Sequence, residues 1–155
     1  RKQWDFQEGE LTNDKQLEYI TNMYLQQTTN IEADERIQHI QRVIESQIKT
    51  KIQGYHQQDI KKNLYDEQNF ITFPKVIELL HSCKNTCYYC REPVIILYEF
   101  VRDNKQWSLE RRDNSFGHNR DNVVISCLSC NLRRRTMAKE RYLQTKAMSK
   151  IIKID

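Results

Sequence analysis

Apolar positions in the first half of the chain recur at helical spacing. Leu17, Ile20, Met23 and Tyr24 follow the capping candidates Thr12 and Asn13. Ile37, Ile40, Ile44, Ile48 and Ile52 then repeat at steps of three and four, which predicts a long amphipathic helix. Gly54 is expected to end that helix. A shorter basic helix is expected next, with Ile60 and Leu64 inward and Lys61 and Lys62 outward. The stretch is rich in glutamine, but its periodicity argues against a low-complexity segment.

The texture changes after residue 70. Thr72-Phe73-Pro74 reads as a helix entrance, because proline is tolerated at the first helical position. Val76, Ile77, Leu79 and Leu80 carry that helix to His81 or Ser82. Val94–Tyr98 is β-branched and predicts a strand, Asp103-Asn104-Lys105 a turn, and Trp107–Glu110 a second strand. Asn114–Gly117 is a loop, Asn122–Ser126 a third strand, and helix resumes at Leu128.

Composition narrows the class. The chain has 155 residues, is 38% hydrophobic and 30% charged, and has a mean hydropathy of −0.84. The longest apolar run, Pro93–Tyr98, is far short of the ~20 residues that span a bilayer. No secretory leader opens the sequence, so an intracellular protein of the cytoplasm or nucleus is expected; beginning on Arg1, the sequence leaves room for a longer parent chain. The net charge of +4 is unevenly divided: residues 1–70 carry 9 basic and 12 acidic side chains, residues 71–155 carry 16 and 9. A basic excess of that kind suits a polyanion, although a solvated basic surface has the same composition.

Cysteine spacing is the sharpest chemical signal. Cys87/Cys90 and Cys127/Cys130 are two CxxC pairs separated by 36 residues. Each pair presents two thiolates on one turn, and together they complete the four-sulfur shell that zinc prefers. Four ligands leave no open coordination position, so the zinc is structural. Cys83 lies outside both pairs and reads as a packed thiol.

The cysteines also frame a resemblance. Cys87-Tyr88-Tyr89-Cys90, Trp107–Asn114, Gly117-His118 and Asp121–Asn131, which closes with Cys127-Leu128-Ser129-Cys130-Asn131, resemble the HNH endonuclease family. The variant it most resembles, found in phages and large viruses, carries Leu-(Asp/Glu)-Arg on its first strand. The implied architecture is α+β: a zinc-stabilised ββα-metal (HNH, treble-clef) core at 70–145, a helical region at 1–69 for docking or DNA positioning, and a tail at 146–155. Residues 1–69 carry no resemblance.

The resemblance implies metal-dependent hydrolysis of a phosphodiester. Glu110 takes the acidic metal position and Asn131 the helix ligand position, for Mg²⁺ or Mn²⁺. Asn122 takes the position that orients the catalytic histidine. That histidine is missing, because Arg111 stands in its place, and an arginine is no general base. Three solutions are open: His118 supplies the base, a metal- or phosphate-activated water needs none while Arg111 clamps the phosphate, or the module binds nucleic acid without cutting it.

Arg133-Arg134-Arg135 follow on the last helix, and Arg112, Arg120, Lys139 and Arg141 extend a phosphate-binding patch. The expected partner is DNA, with RNA as the alternative. Two other readings remain: a silent zinc module that binds nucleic acid within a larger assembly, and a protein adaptor that exposes the isoleucine stripe.

Overall fold

The computed structural model describes residues 4–134, 144 and 146–148. Helix α1 spans Asn13–Gln26, and the Thr12 hydroxyl caps it by accepting the Lys15 N–H at 3.3 Å. Tyr19, Ile20 and Met23 form its buried face. Helix α2 spans Glu35–Lys61, and Asp34 accepts the Ile37 N–H at 2.8 Å to satisfy one of its free first-turn donors. Ile40, Ile44 and Ile48 are buried along it, so the isoleucine stripe is core and not an exposed partner face.

The expected stop at Gly54 does not occur; α2 runs on to Lys61. Gly54 is exposed on the outer side while the inner side continues through Tyr55 to fully buried Asp59. Docking of that inner face outweighs the intrinsic cost of a helical glycine, about 1 kcal/mol. The chain turns only after the helix, at Asn63, which adopts the left-handed conformation with φ 57°. Ile60 is therefore a helix residue that faces solvent, not an inward residue of a second helix.

Helix α3 spans Phe73–Ser82, with Pro74 in its first turn and Val76, Ile77 and Leu80 buried. Strands β1, Trp107–Arg111, and β2, Val123–Cys127, pair antiparallel in the register Trp107↔Cys127 to Arg111↔Val123. Helix α4, Leu128–Arg134, starts at the residue after β2. The architecture is mixed α+β, and its hydrophobic core takes in buried side chains from all three longer helices and from both strands.

Val94–Tyr98 is not the third strand that its composition predicts. It makes one isolated bridge, Ile95↔Gln106, just after the bridge Thr86↔Pro93. The physical substitute is Gln16 of α1, whose side-chain oxygen accepts the N–H groups of Ile96 (2.7 Å) and Leu97 (3.0 Å). Its amide nitrogen donates to the Leu97 carbonyl at 3.0 Å. One buried glutamine thus satisfies backbone groups that a neighbouring strand would otherwise have to satisfy. Val94, Ile96 and Leu97 are still fully buried, as their apolar character demands. Among the described residues, no helix is long and apolar enough to cross a membrane.

Candidate metal centre and adjoining cavity

The two CxxC pairs meet. The Sγ atoms of Cys87, Cys90, Cys127 and Cys130 all lie within 4.8 Å of one another. Cys90 Sγ is 3.9 Å from Cys127 Sγ, close to the ~3.8 Å edge of a tetrahedron with Zn–S bonds of ~2.3 Å. The first pair is held on a tight turn: Cys87 N–H donates to Glu92 O at 2.9 Å, and Arg91 is left-handed at φ 63°. Tyr88 N–H donates to Ile125 O at 2.8 Å, tying that turn to β2. The second pair straddles the junction of β2 and α4, where Cys130 N–H points at Cys127 Sγ from 3.4 Å. The clustered thiols share their protons: hydrogen bonds from Cys127 and Cys130 hold the Cys87 thiol well below the usual range, while the same cluster pushes the Cys127 thiol up. The donor set fits zinc. Cys83 stands apart, with its S–H directed at Leu80 O at 3.6 Å and its thiol pushed up by burial.

A cavity of about 1030 Å³ opens beside this centre. Strand β1 lines it with Ser108, Leu109, Glu110 and Arg111, and α4 adds Asn131 and Arg134. Positions 108 and 110 share one strand face, and 131 and 134 share one helix face. The two faces meet in matched pairs: Asn131 Nδ2 donates to Ser108 Oγ at 3.0 Å, and Arg134 Nη1 donates to Glu110 Oε1 at 2.8 Å. With its nitrogen thus engaged, Asn131 has its amide oxygen as acceptor. Glu110 is a buried carboxylate held in place by a buried arginine.

His118 lines the same cavity and is almost wholly buried. Its Nδ1 lies 2.7 Å from Asp59 Oδ1, and its backbone N–H donates to Asp59 Oδ2 at 2.6 Å. Tyr55, one turn earlier on α2, stacks on the imidazole with ring centroids 4.4 Å apart. The Tyr55 hydroxyl accepts the Leu109 N–H at 2.9 Å, and burial raises its pKa to about 12, so it remains a neutral phenol. Burial lowers the His118 pKa; the hydrogen bond to Asp59 opposes that shift, while the charges of Arg111 and Lys62 reinforce it. The net direction favours the neutral imidazole. Asp59 occupies Nδ1, so Nε2 is the ring nitrogen that can serve the cavity.

The loop before His118 is pinned from three sides. Asn122 Nδ2 donates to Asp113 O (3.0 Å) and Gly117 O (2.9 Å), while Asn122 Oδ1 accepts the Asp113 N–H at 3.0 Å. Arg111 Nη1 donates to the carbonyls of Asn114 (3.2 Å) and Phe116 (3.1 Å), so part of its guanidinium braces the loop. Gly117 permits the close approach: a Cβ there would collide with the Asp59 carboxylate and stand 2.7 Å from Leu64 O.

The expected basic patch is divided. Arg112 and Arg133 are exposed, and Arg120 is tied to Asn69 by Nη2 at 3.3 Å and by its backbone N–H. Arg134 is turned inward onto Glu110, with its guanidinium 5.7 Å from the Tyr89 ring centre. Arg135, Lys139 and Arg141 lie outside the described residues.

Sequence reasoning missed what α2 brings to the cavity: Lys51, Tyr55, Gln58, Lys61 and Lys62 on its wall, and Asp59 behind His118. A signal for Asp59 was present. Continuing the stripe 48, 52 by steps of three and four gives 55 and 59, so an acid stands on a core-facing position. No protein-family model, curated protein or solved structure matches this chain.

Proposed function

We propose that this chain is a divalent-metal-dependent endonuclease of the HNH type that hydrolyses phosphodiester bonds of DNA and is held together by a structural zinc. One observation carries the reading: Glu110 of β1, His118 of the following loop and Asn131 of α4 line one cavity whose remaining charged groups, among the described residues, are all cationic. An acid, a neutral imidazole and an amide oxygen in a basic setting form a hydrolytic set for an anionic ester.

The oxygen donors fit a hard cation, because Glu110 and Asn131 offer a carboxylate and an amide oxygen on one wall. Mg²⁺ or Mn²⁺ held by these two residues and by water would stabilise charge on the leaving oxygen. The chain's own side chains do the rest. His118 Nε2 accepts a proton from the water whose oxygen bonds to phosphorus, while the ester oxygen on the far side leaves. Asp59 is a positioning residue that keeps the other nitrogen protonated and the ring in place. Arg134 orients Glu110, and Asn122 and Arg111 brace the loop that presents His118. In this reading the base absent from position 111 is supplied from position 118.

The test is nicking of supercoiled plasmid with Mg²⁺, Mn²⁺ or EDTA. Cleavage that requires the ion supports the reading. No cleavage under any divalent ion replaces it with a silent nucleic-acid-binding zinc module, for which the Glu110–Arg134 pair would be purely structural.

A further inference from the structure

We propose that the C-terminal turn of α2, through Gln58, Lys61 and Lys62, is a phosphate-gripping wall that binds the backbone of a polynucleotide entering the cavity. The proposal rests on the cavity being a nucleic-acid site, and it adds a surface from a part of the chain that carries no resemblance to a nuclease.

Charge within the cavity singles out these lysines. Among the described residues five cationic side chains line it, Lys51, Lys61, Lys62, Arg111 and Arg134, against the single carboxylate of Glu110. Arg134 neutralises Glu110. Lys51 is directed inward, with Nζ donating to Gln106 Oε1 at 3.0 Å and to the Trp107 carbonyl, over the Trp107 ring. Arg111 is partly engaged by loop carbonyls. Lys61 and Lys62 are exposed, and among the described residues neither forms an ion pair. Two adjacent cations on a concave wall repel each other, and an anion relieves that repulsion.

A lysine at a helix C-terminus also complements the helix dipole, worth roughly 0.3–1 kcal/mol. That accounts for a cation at the end of α2, but not for two of them lining the cavity that holds His118. Lys62 and His118 line the same cavity, so a phosphate gripped by the lysine enters the space that the imidazole lines. The partner is a polynucleotide and not a generic anion, because successive phosphates of one strand could be held together by the α2 lysines and by Arg111, which line the same cavity.

The test is fluorescence anisotropy with a labelled DNA duplex in EDTA, titrated with salt, comparing wild type with Lys61→Gln/Lys62→Gln. Both positions are exposed, and circular dichroism checks that the fold is kept. Loss of two phosphate contacts should lower the slope of log affinity against log salt by about 1.8. Lys61→Glu/Lys62→Glu should weaken binding further. An unchanged slope overturns the proposal, as does competition by polyglutamate as effective as that by unlabelled DNA. The two readings fail separately. A wild type that binds through these lysines but never nicks plasmid keeps the wall and loses the nuclease; one that nicks while the double variant keeps its slope loses only the wall.

Discussion

Asp59 and His118 are joined twice, through the imidazole Nδ1 at 2.7 Å and through the backbone N–H at 2.6 Å, with each of the two carboxylate oxygens engaged once. Fifty-nine positions separate them, so the interaction reports on how α2 docks against the loop before β2. Asp59→Ala leaves a buried ring nitrogen and a buried backbone donor without partners. It should lower stability by about 3 kcal/mol in urea unfolding. Gly117→Ala should cost about 2 kcal/mol by forcing a methyl group against Asp59 and Leu64 O. In the nicking assay, His118→Ala should lose ~10²-fold or more, the usual worth of a general base. Wild-type rates in that variant would leave the water without a protein base.

Acid should unfold the protein partly through His118. Its folded pKa is lowered, above all by burial, from an ordinary value of 6.5. The unfolded chain then binds the proton more readily than the folded one. The contribution is complete above about pH 6.5 and is lost as pH falls through the folded value. Urea midpoints measured from pH 7.5 to pH 5 should fall, and they should fall less steeply for His118→Gln. Equal slopes in the two proteins would remove His118 as the cause. If His118 is the base, the nicking rate should decline over the same acid limb.

Metal analysis of purified protein should find one zinc per chain, bound by the four clustered sulfurs. Cys127→Ser should release it and lose much of the fold, because metal binding and folding are coupled in such sites. Glu110→Gln and Asn131→Ala should retain the zinc while abolishing Mg²⁺-dependent nicking. Loss of zinc in either variant would show that the two sites are not separate.

Glu110→Ala is less clean than Glu110→Gln, for a reason visible in its partner. Arg134 is buried and, among the described residues, its Nε has no hydrogen-bond partner while Nη1 donates to Glu110. Removing the carboxylate alone should cost roughly 3–5 kcal/mol by stranding a buried charge. Glu110→Ala/Arg134→Met should recover much of that stability. A double variant no more stable than Glu110→Ala would mean the ion pair is not what holds β1 to α4.

Gly54→Ala should stabilise the protein by up to about 1 kcal/mol, read as a raised melting temperature. The position is inside α2, exposed, and nothing lies within 4 Å of an added Cβ. A neutral or destabilising result would show that the helix needs to bend there.

Legibility from sequence followed the range of the interactions involved. The isoleucine stripe announced α2, because helical periodicity is a local property. The two CxxC pairs announced the sulfur cluster, because their spacing encodes a ligand count. What failed depended on partners distant in the chain. Val94–Tyr98 has the composition of a strand, but the N–H groups of Ile96 and Leu97 are satisfied by Gln16, 80 positions away from Ile96. Gly54 looked like a stop because glycine is a local signal, and the docked face of Tyr55 and Asp59 overrode it. The cavity showed the same split: Glu110, His118, Asn122 and Asn131 were picked out on the chain, whereas Asp59 and the lysines of α2 stood in a segment with nothing to align them to.

Strand β2 ends at Cys127 and helix α4 begins at Leu128, with no linker between them. The junction therefore has no slack, and strand and helix are geared together. One residue inserted there would turn α4 by ~100° about its axis. Cys130 would swing away from the other three sulfurs, and Asn131 and Arg134 would leave Ser108 and Glu110 in the same movement. Across this stretch the tolerated spacing is a single value. Length variation among functional versions of the chain should be confined to segments such as 99–102, ahead of Asn104, whose carbonyl accepts the Ser129 N–H between the two cysteines of the second pair.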